Sequence, residues 1–167
     1  MRLFALALLA VLAAPAQKIE VEFDPSADFH HFTTFAIRDG RLNSRNPSLN
    51  SDLVRKRIDA GIRKHLEAKG LTFVASGPST LNVRYTLGAV NSVHREFYPA
   101  GWRGWGTRVV RVPYTEGTLV IDLRDPATRS LVWRGIAREE KGDPYKIEGK
   151  LDDMIKKSLA KYPPKIK

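Results

Sequence analysis

Two amphipathic helical patterns, one near the middle of the chain and one close to its end, are the clearest structural signals in the sequence. In the first, apolar side chains recur every four residues: Val54, Ile58, Ile62 and Leu66. This spacing places them on one stripe of an α-helix. Asn50 or Ser51 can cap the first turn, and Gly70 stands where the left-handed residue after a helix is preferred.

The second helical pattern runs from Ile147 to Tyr162 and ends at Pro163-Pro164, because proline cannot continue a helix.

Alternating apolar and polar residues predict strands elsewhere along the chain. The predicted strands cover 19–23, about 32–38, 71–75, 81–87, 107–114, 118–123 and 130–138. Asp39-Gly40 is expected to end the second strand, and the turn 125–129 makes the last two strands a hairpin.

Helices and strands that are apolar on one side bury each other best in two layers. Short connections join the late strands, so these strands are expected to pair antiparallel. The sequence therefore predicts an α+β fold: an antiparallel sheet of about five or six strands with two amphipathic helices packed on one face. It contains no internal repeat, and residues 17–167 are expected to form a single domain.

The first sixteen residues read as a secretory signal peptide. Arg2 is the positive start, Leu3–Ala13 is an apolar run, and Ala14-Pro15-Ala16 is a small-x-small cleavage site before Gln17. The run is too short to span a bilayer, which takes about 20 apolar residues. We therefore expect an exported chain, periplasmic or secreted and soluble after cleavage, without a transmembrane segment. Its lack of cysteine means that it folds without disulfides.

The formal net charge of +10 predicts an anionic partner. In an exported protein this points to an anionic envelope lipid or glycan, or to an envelope protein, and not to nucleic acid. The alternative is that lysine and arginine only keep the domain soluble. The sequence indicates no oligomeric state.

The segment around residues 95–111 combines aromatic, arginine and glycine residues, a composition that suits sugar rings, lipid interfaces or a partner protein. The candidate binding residues are Tyr98, Trp102, Arg103, Trp105, Arg108 and Arg111. Alternatively, the tryptophans fold back and cover the sheet. Trp133 lies mid-strand in step with Leu131 and is expected in the core.

No catalytic motif stands out, and we expect a non-enzymatic protein without cofactor or metal. The chain has no cysteine nucleophile, Gly-x-Ser-x-Gly elbow or phosphate-binding loop. Adjacent His30 and His31 would point to opposite sides of an extended strand and could not easily share a metal ion. The alternative is a hydrolase that uses Asp24, Asp28 or Asp122, although aspartates beside turns usually serve the turn.

Three segments in order resemble the bacterial envelope family DUF4136. They are the stretch 21–35 with its Phe23-Asp24-Pro25 turn, the hairpin from Glu116 to Gly135, and the closing helix with Tyr162-Pro163-Pro164. The resemblance implies an exported envelope domain of unknown activity. Many members carry a lipid-accepting cysteine directly after the signal. Here that position is Gln17, so a lipid anchor is not implied.

Overall fold

The computed structural model describes residues 17–44, 46–88, 96–99, 107–110, 117–139 and 144–165, with the backbone alone for 96–99, 107–110 and 144–146. The predicted signal peptide, residues 1–16, lies outside these ranges. The strands are β1 (Lys18–Phe23), β2 (Thr34–Asn43), β3 (Thr72–Phe73), β4 (Leu81–Gly88), β5 (Glu96–Pro99), β6 (Thr107–Val110), β7 (Thr118–Arg124) and β8 (Leu131–Arg138). The helices are α1 (Asp52–Glu67) and α2 (Pro144–Leu159), with short 3₁₀ turns at Phe29–His31 and Pro47–Asn50.

Six strands form one sheet in the order β1-β8-β7-β4-β2-β3, and β5 pairs with β6 in a separate ribbon. The predicted α+β fold is confirmed, but the expectation of a purely antiparallel sheet is wrong. β2 runs parallel to both β3 and β4, whereas β1, β8, β7 and β4 are successively antiparallel. The reason is topological: α1 lies between β2 and β3, and a helical crossover returns the chain in the same direction.

The two helices cover one face of the sheet, and the core lies between the layers. The predicted stripe of α1 is fully buried, as are α2 side chains such as Leu151 and Ile155. Each such side chain stabilises the fold by about 1.5–3 kcal/mol relative to leaving it in water. Trp133 is fully buried in this core, which confirms the expectation from its strand position.

The ends of α1 follow the predicted signals. The Ser51 hydroxyl accepts a hydrogen bond from the Val54 N–H at 3.2 Å, so this serine caps the first turn. Gly70 follows the helix with φ of 89°, a conformation that a side chain would strain. These local signals located both ends of the helix, because Ser51 directly precedes its first residue and Gly70 follows its last residue, Glu67, by three positions.

β2 continues past the predicted stop at Asp39-Gly40 and ends at Asn43. Gly40 has a packing role here, because a Cβ at this position would lie 2.3 Å from the Tyr85 ring of the neighbouring strand. The glycine therefore lets the Tyr85 ring cross the β2 backbone, and it does not end the strand. β2 also contains a bulge between Ile37 and Asp39.

Candidate functional site

The face of the sheet turned away from the helices carries most of the charged side chains of the strands, together with a few apolar ones such as Val132 and Ile136. Its side chains come from the alternate positions of each strand, the even-numbered ones in β1, β4, β7 and β8. Asp122 lies on this face, because it alternates along β7 with the buried apolar row of Leu119, Ile121 and Leu123. We call this surface the outer face.

Over β1, β7 and β8 the outer face is neutralised by ion pairs. Arg134 donates two hydrogen bonds to the two oxygens of Asp122, at 2.6 and 2.8 Å, and both side chains are largely buried. Arg138 lies 2.6 Å from Glu20, and hydrogen bonds from Arg138 and then Lys18 hold the pKa of Glu20 below its usual value. Bidentate pairs of this kind are strong and geometrically specific.

Over β2, β4 and the end of β7, the outer face instead carries an open cavity of about 310 Å³, which we call the arginine cavity. The side chains that define it are Arg38, Asn82, Arg84, Arg124, Asp125 and Arg129. Each arginine comes from a different place in the fold. Arg38 is the extra residue of the β2 bulge, and a bulge re-aims the side chain it carries. Asn82 and Arg124 are paired across β4 and β7.

The guanidinium groups of the arginine cavity lack close carboxylates. Within the described residues, only Asp39 has an oxygen within 4.0 Å of any of the four, and it reaches that limit at Arg84 Nε. Arg38 donates to two neutral acceptors, the Gly77 carbonyl and, at 3.3 Å, Asn82 Oδ1. Four guanidinium groups thus line a concave surface without the close ion pairs found elsewhere on the same face, although one carboxylate, Asp125, lines it as well.

Asp125, the carboxylate of the arginine cavity, is occupied by the β7–β8 turn. Its Oδ1 accepts from the Ala127 N–H at 2.8 Å and its Oδ2 from the Thr128 hydroxyl at 3.0 Å. Its backbone N–H donates to the Ser130 carbonyl at 3.0 Å, which closes the turn. Both carboxylate oxygens therefore hold the turn in shape.

Arg129 has a left-handed backbone, with φ of 60°, and is the one non-glycine residue with positive φ in the described chain. Glycine or asparagine is preferred in such positions, because the Cβ of other residues crowds the backbone. Arg124 Nη1 donates to the Arg129 carbonyl at 3.3 Å and so links the turn to β7. The Nε of Arg124 is buried and has no acceptor among the described residues.

Two of the aspartates considered for hydrolysis lie beside the arginine cavity and are not among its lining residues. Asp24 and Asp28 line a second cavity, of about 340 Å³, on the other side of the β7–β8 turn. Asp24 Oδ1 accepts from the N–H and hydroxyl of Ser26, and these bonds lower its pKa. Asp28 Oδ1 caps the first 3₁₀ turn by accepting from the His30 N–H at 3.0 Å. These bonds are those of turns and caps.

The candidate residues predicted from the aromatic segment fall mostly outside the described chain. This applies to Trp102, Arg103, Trp105 and Arg111. The other two, Tyr98 and Arg108, are directly opposite each other in the antiparallel β5–β6 pair. Partners in such a register are cross-strand neighbours, so the backbone brings these two candidate positions together.

Sequence reasoning missed the arginine cavity, because its members are separated along the chain and meet only through sheet pairing and one bulge. Two signals could have pointed to it. Arg84 and Arg124 occupy polar positions of alternating strands, and Arg129 stands near the end of a hairpin turn where glycine or asparagine is usual.

No helix in the described ranges is long and apolar enough to cross a membrane.

Comparison with known families gives a match over nearly the whole chain. The model of the domain of unknown function DUF4136 matches residues 19–164. The chain belongs to the DUF4136 family. This confirms the resemblance carried by the first turn, the late hairpin and the closing helix. No curated protein matches the chain.

Solved structures share the DUF4136 fold at low sequence identity. A DUF4136 family protein from Bacteroides thetaiotaomicron is 15% identical with a TM-score of 0.60, and the match covers 88% of this chain and 96% of that one. PelC from Paraburkholderia phytofirmans, described as a dodecamer, is 12% identical at a TM-score of 0.51, with 87% and 96% covered. A PDZ domain protein from Parabacteroides distasonis is 15% identical at 0.56, with 89% of this chain but 36% of that one covered.

Proposed function

We propose that this DUF4136 protein is an exported, envelope-associated binding module without catalytic activity. In this proposal the arginine cavity holds an anionic group of an envelope component or a partner protein. The observation that carries it is that four arginines line one concave surface and that, within the described residues, no carboxylate oxygen lies closer than 4.0 Å to their guanidinium nitrogens. Export is supported by the signal-like pattern of residues 1–16.

An incoming anion would supply the charge that the cavity lacks. Charge-assisted hydrogen bonds from guanidinium to carboxylate or phosphate are about twice as strong as neutral ones. The net charge of +10 adds long-range attraction, which salt screens over about 10 Å at 0.1 M. Binding is therefore expected to weaken as salt rises.

The aromatic segment is a second candidate contributor to the same function. Tyr98 and Arg108 occupy opposite positions in the β5–β6 ribbon. Trp102 and Trp105 lie between these strands in the sequence. Replacing both tryptophans by alanine is expected to weaken binding to an envelope ligand if this ribbon contacts it.

The proposal that the protein has no catalytic activity is supported by the hydrogen bonds that its candidate carboxylates make. Asp24, Asp28 and Asp125 have turn and cap hydrogen bonds that account for their positions. Asp122 is held by two bonds from Arg134. A hydrolase would need a carboxylate free to accept or donate a proton to a substrate.

Assembly is a second candidate function, because PelC, which shares the fold, is described as a dodecamer. In this reading, copies of the DUF4136 chain associate at the envelope. Light scattering coupled to size-exclusion chromatography measures the mass directly. A mass several times 18.8 kDa would support assembly, and a monomer at micromolar concentration would contradict it.

The binding proposal is tested with the double variant Arg84→Ala/Arg124→Ala. The probes are vesicles containing phosphatidylglycerol, polygalacturonate and inorganic phosphate, each titrated at low and high salt. We expect salt-sensitive binding of at least one probe and a loss of tenfold or more in the double variant.

The matched control is Arg57→Ala/Arg63→Ala, which removes the same charge from α1, where both arginines have carboxylate partners. An equal loss in the control would mean that net charge, and not the cavity, drives binding. No binding of any probe at low salt would contradict the proposal.

A further inference from the structure

The arginine cavity has a composition that narrows the class of anion, provided that the proposed anion-binding function holds. All four cations in its lining are arginines, although the chain is also rich in lysine. Arginine presents a planar fork of donors that pairs with two oxygens of one group, whereas lysine acts as a point charge. Such a lining is typical of recognition by geometry as well as by charge.

The four arginines come from different segments: the β2 bulge, the middle of β4, the end of β7 and the β7–β8 turn. A carboxylate is flat and has two oxygens and one negative charge. A phosphate monoester has three terminal oxygens arranged around phosphorus and a charge of about −1.5 to −2 at neutral pH. A phosphate monoester can therefore accept hydrogen bonds from more of the lining arginines at once than a carboxylate can.

Two energetically unfavourable features occur together at the arginine cavity. The Arg124 Nε is a buried donor without an acceptor among the described residues. Arg129 keeps a left-handed backbone that glycine would adopt without strain. The hairpin turn explains a left-handed residue at this position but not an arginine in it. Strain and unmet donors of this kind concentrate at functional sites, where the ligand or the reaction makes use of them.

We infer that the arginine cavity takes a single phosphoryl group of the monoester type, and that Arg129 is a ligand-binding residue held at its rim. The Arg124–Arg129 hydrogen bond fixes the turn that presents this guanidinium. Arg38, pinned by the Gly77 carbonyl and Asn82, supplies the opposite wall.

Carboxylates around the cavity favour one discrete group over a continuous anionic surface. Asp39 lies beside Arg84, and Asp125 lines the cavity itself. Asp24 and Asp28 line the neighbouring cavity across the turn. A vesicle surface or a polymer with evenly spaced acids would meet these negative charges as soon as it extended beyond the four arginines.

The test is isothermal titration of the purified protein with methyl phosphate and with acetate at matched ionic strength. Vesicles of phosphatidylcholine with phosphatidic acid form a third arm, which presents the same monoester on a lipid. We expect methyl phosphate to bind at least tenfold more tightly than acetate, and Arg129→Gly to lose tenfold or more of that affinity. The thermal midpoint of Arg129→Gly should equal or exceed that of the wild type, which excludes unfolding as the cause of the lost affinity. Arg63→Ala, on α1, should bind like the wild type.

The outcomes separate this inference from the proposed function. Binding of phosphatidic acid vesicles in place of methyl phosphate would keep the monoester and identify a lipid as its source. If acetate or polygalacturonate binds as tightly as methyl phosphate and Arg84→Ala/Arg124→Ala weakens it, the cavity binds anions but the phosphoryl inference is wrong. The inference is also wrong if Arg129→Gly binds methyl phosphate like the wild type. If no anion binds, both fail.

Discussion

Replacing Arg129 by glycine should make the protein more stable, which is unusual for a substitution that deletes a whole side chain. The left-handed backbone, with φ of 60°, costs an L-residue about 1–2 kcal/mol. Glycine avoids this cost but loses about 0.5–1 kcal/mol through its greater freedom in the unfolded chain. The turn itself is held by Asp125 and the Arg129 carbonyl, neither of which the substitution removes.

The expected net gain is about 0.5–1 kcal/mol in the free energy of unfolding. For a chain of 167 residues this corresponds to a rise of about 1–4 °C in the thermal midpoint. Urea unfolding followed by tryptophan fluorescence measures the free energy, because Trp133 is buried in the core.

Arg129→Ala is the matched control. It removes the same positive charge but keeps a Cβ in the left-handed region, so it should show no gain from relief of backbone strain. If alanine and glycine stabilise equally, the effect comes from charge, and the backbone argument is refuted. A destabilised glycine variant would refute it as well.

Three further predictions concern the sheet. Gly40→Ala should destabilise the fold by about 1–3 kcal/mol, measured by urea unfolding, because its Cβ would lie 2.3 Å from the Tyr85 ring; the paired variant Gly40→Ala/Tyr85→Leu should lose less than the two single changes added together. Asp122→Asn should cost about 2 kcal/mol in the same assay, since it removes the negative charge that faces the largely buried Arg134 guanidinium; an unchanged stability would contradict the role given to this pair. The hydrogen bonds from Arg138 and Lys18 lower the pKa of Glu20, so the ionised Glu20 stabilises the fold above its unfolded pKa, and this stabilisation is lost as pH falls through the lower folded pKa. Glu20→Gln should therefore reduce the fall of the thermal midpoint with decreasing pH below about pH 5, and an unchanged pH dependence of the midpoint would contradict this.

The parts of the fold that were predictable from sequence are those set by local patterns. α1 has a capping serine, a four-residue apolar repeat and a terminal glycine within one segment. The β7–β8 hairpin is marked by alternation on both sides of an Asp-Pro turn. In each case the residues that determine the structure are neighbours in the chain.

The parts that were not predictable depend on contacts between distant segments. β2 passes through Asp39-Gly40 because this stretch pairs with β4, where Gly40 lies opposite Tyr85, 45 positions further on. Its parallel pairing with β3 is set by the crossover through α1, which no pattern within β2 indicates. The arginine cavity needs the bulge at Arg38, the register of Asn82 with Arg124, and the turn at Arg129 together.

The most direct test of the central claim is an NMR titration of the ¹⁵N-labelled protein with methyl phosphate, which reports where an anion binds. We expect saturable amide shifts to cluster at the β2 bulge, at Asn82–Arg84 and at Arg124–Arg129, and Arg84→Ala/Arg124→Ala to abolish them. Shifts confined to the lysine-rich end of α2, or small linear shifts spread over the whole surface, would contradict it.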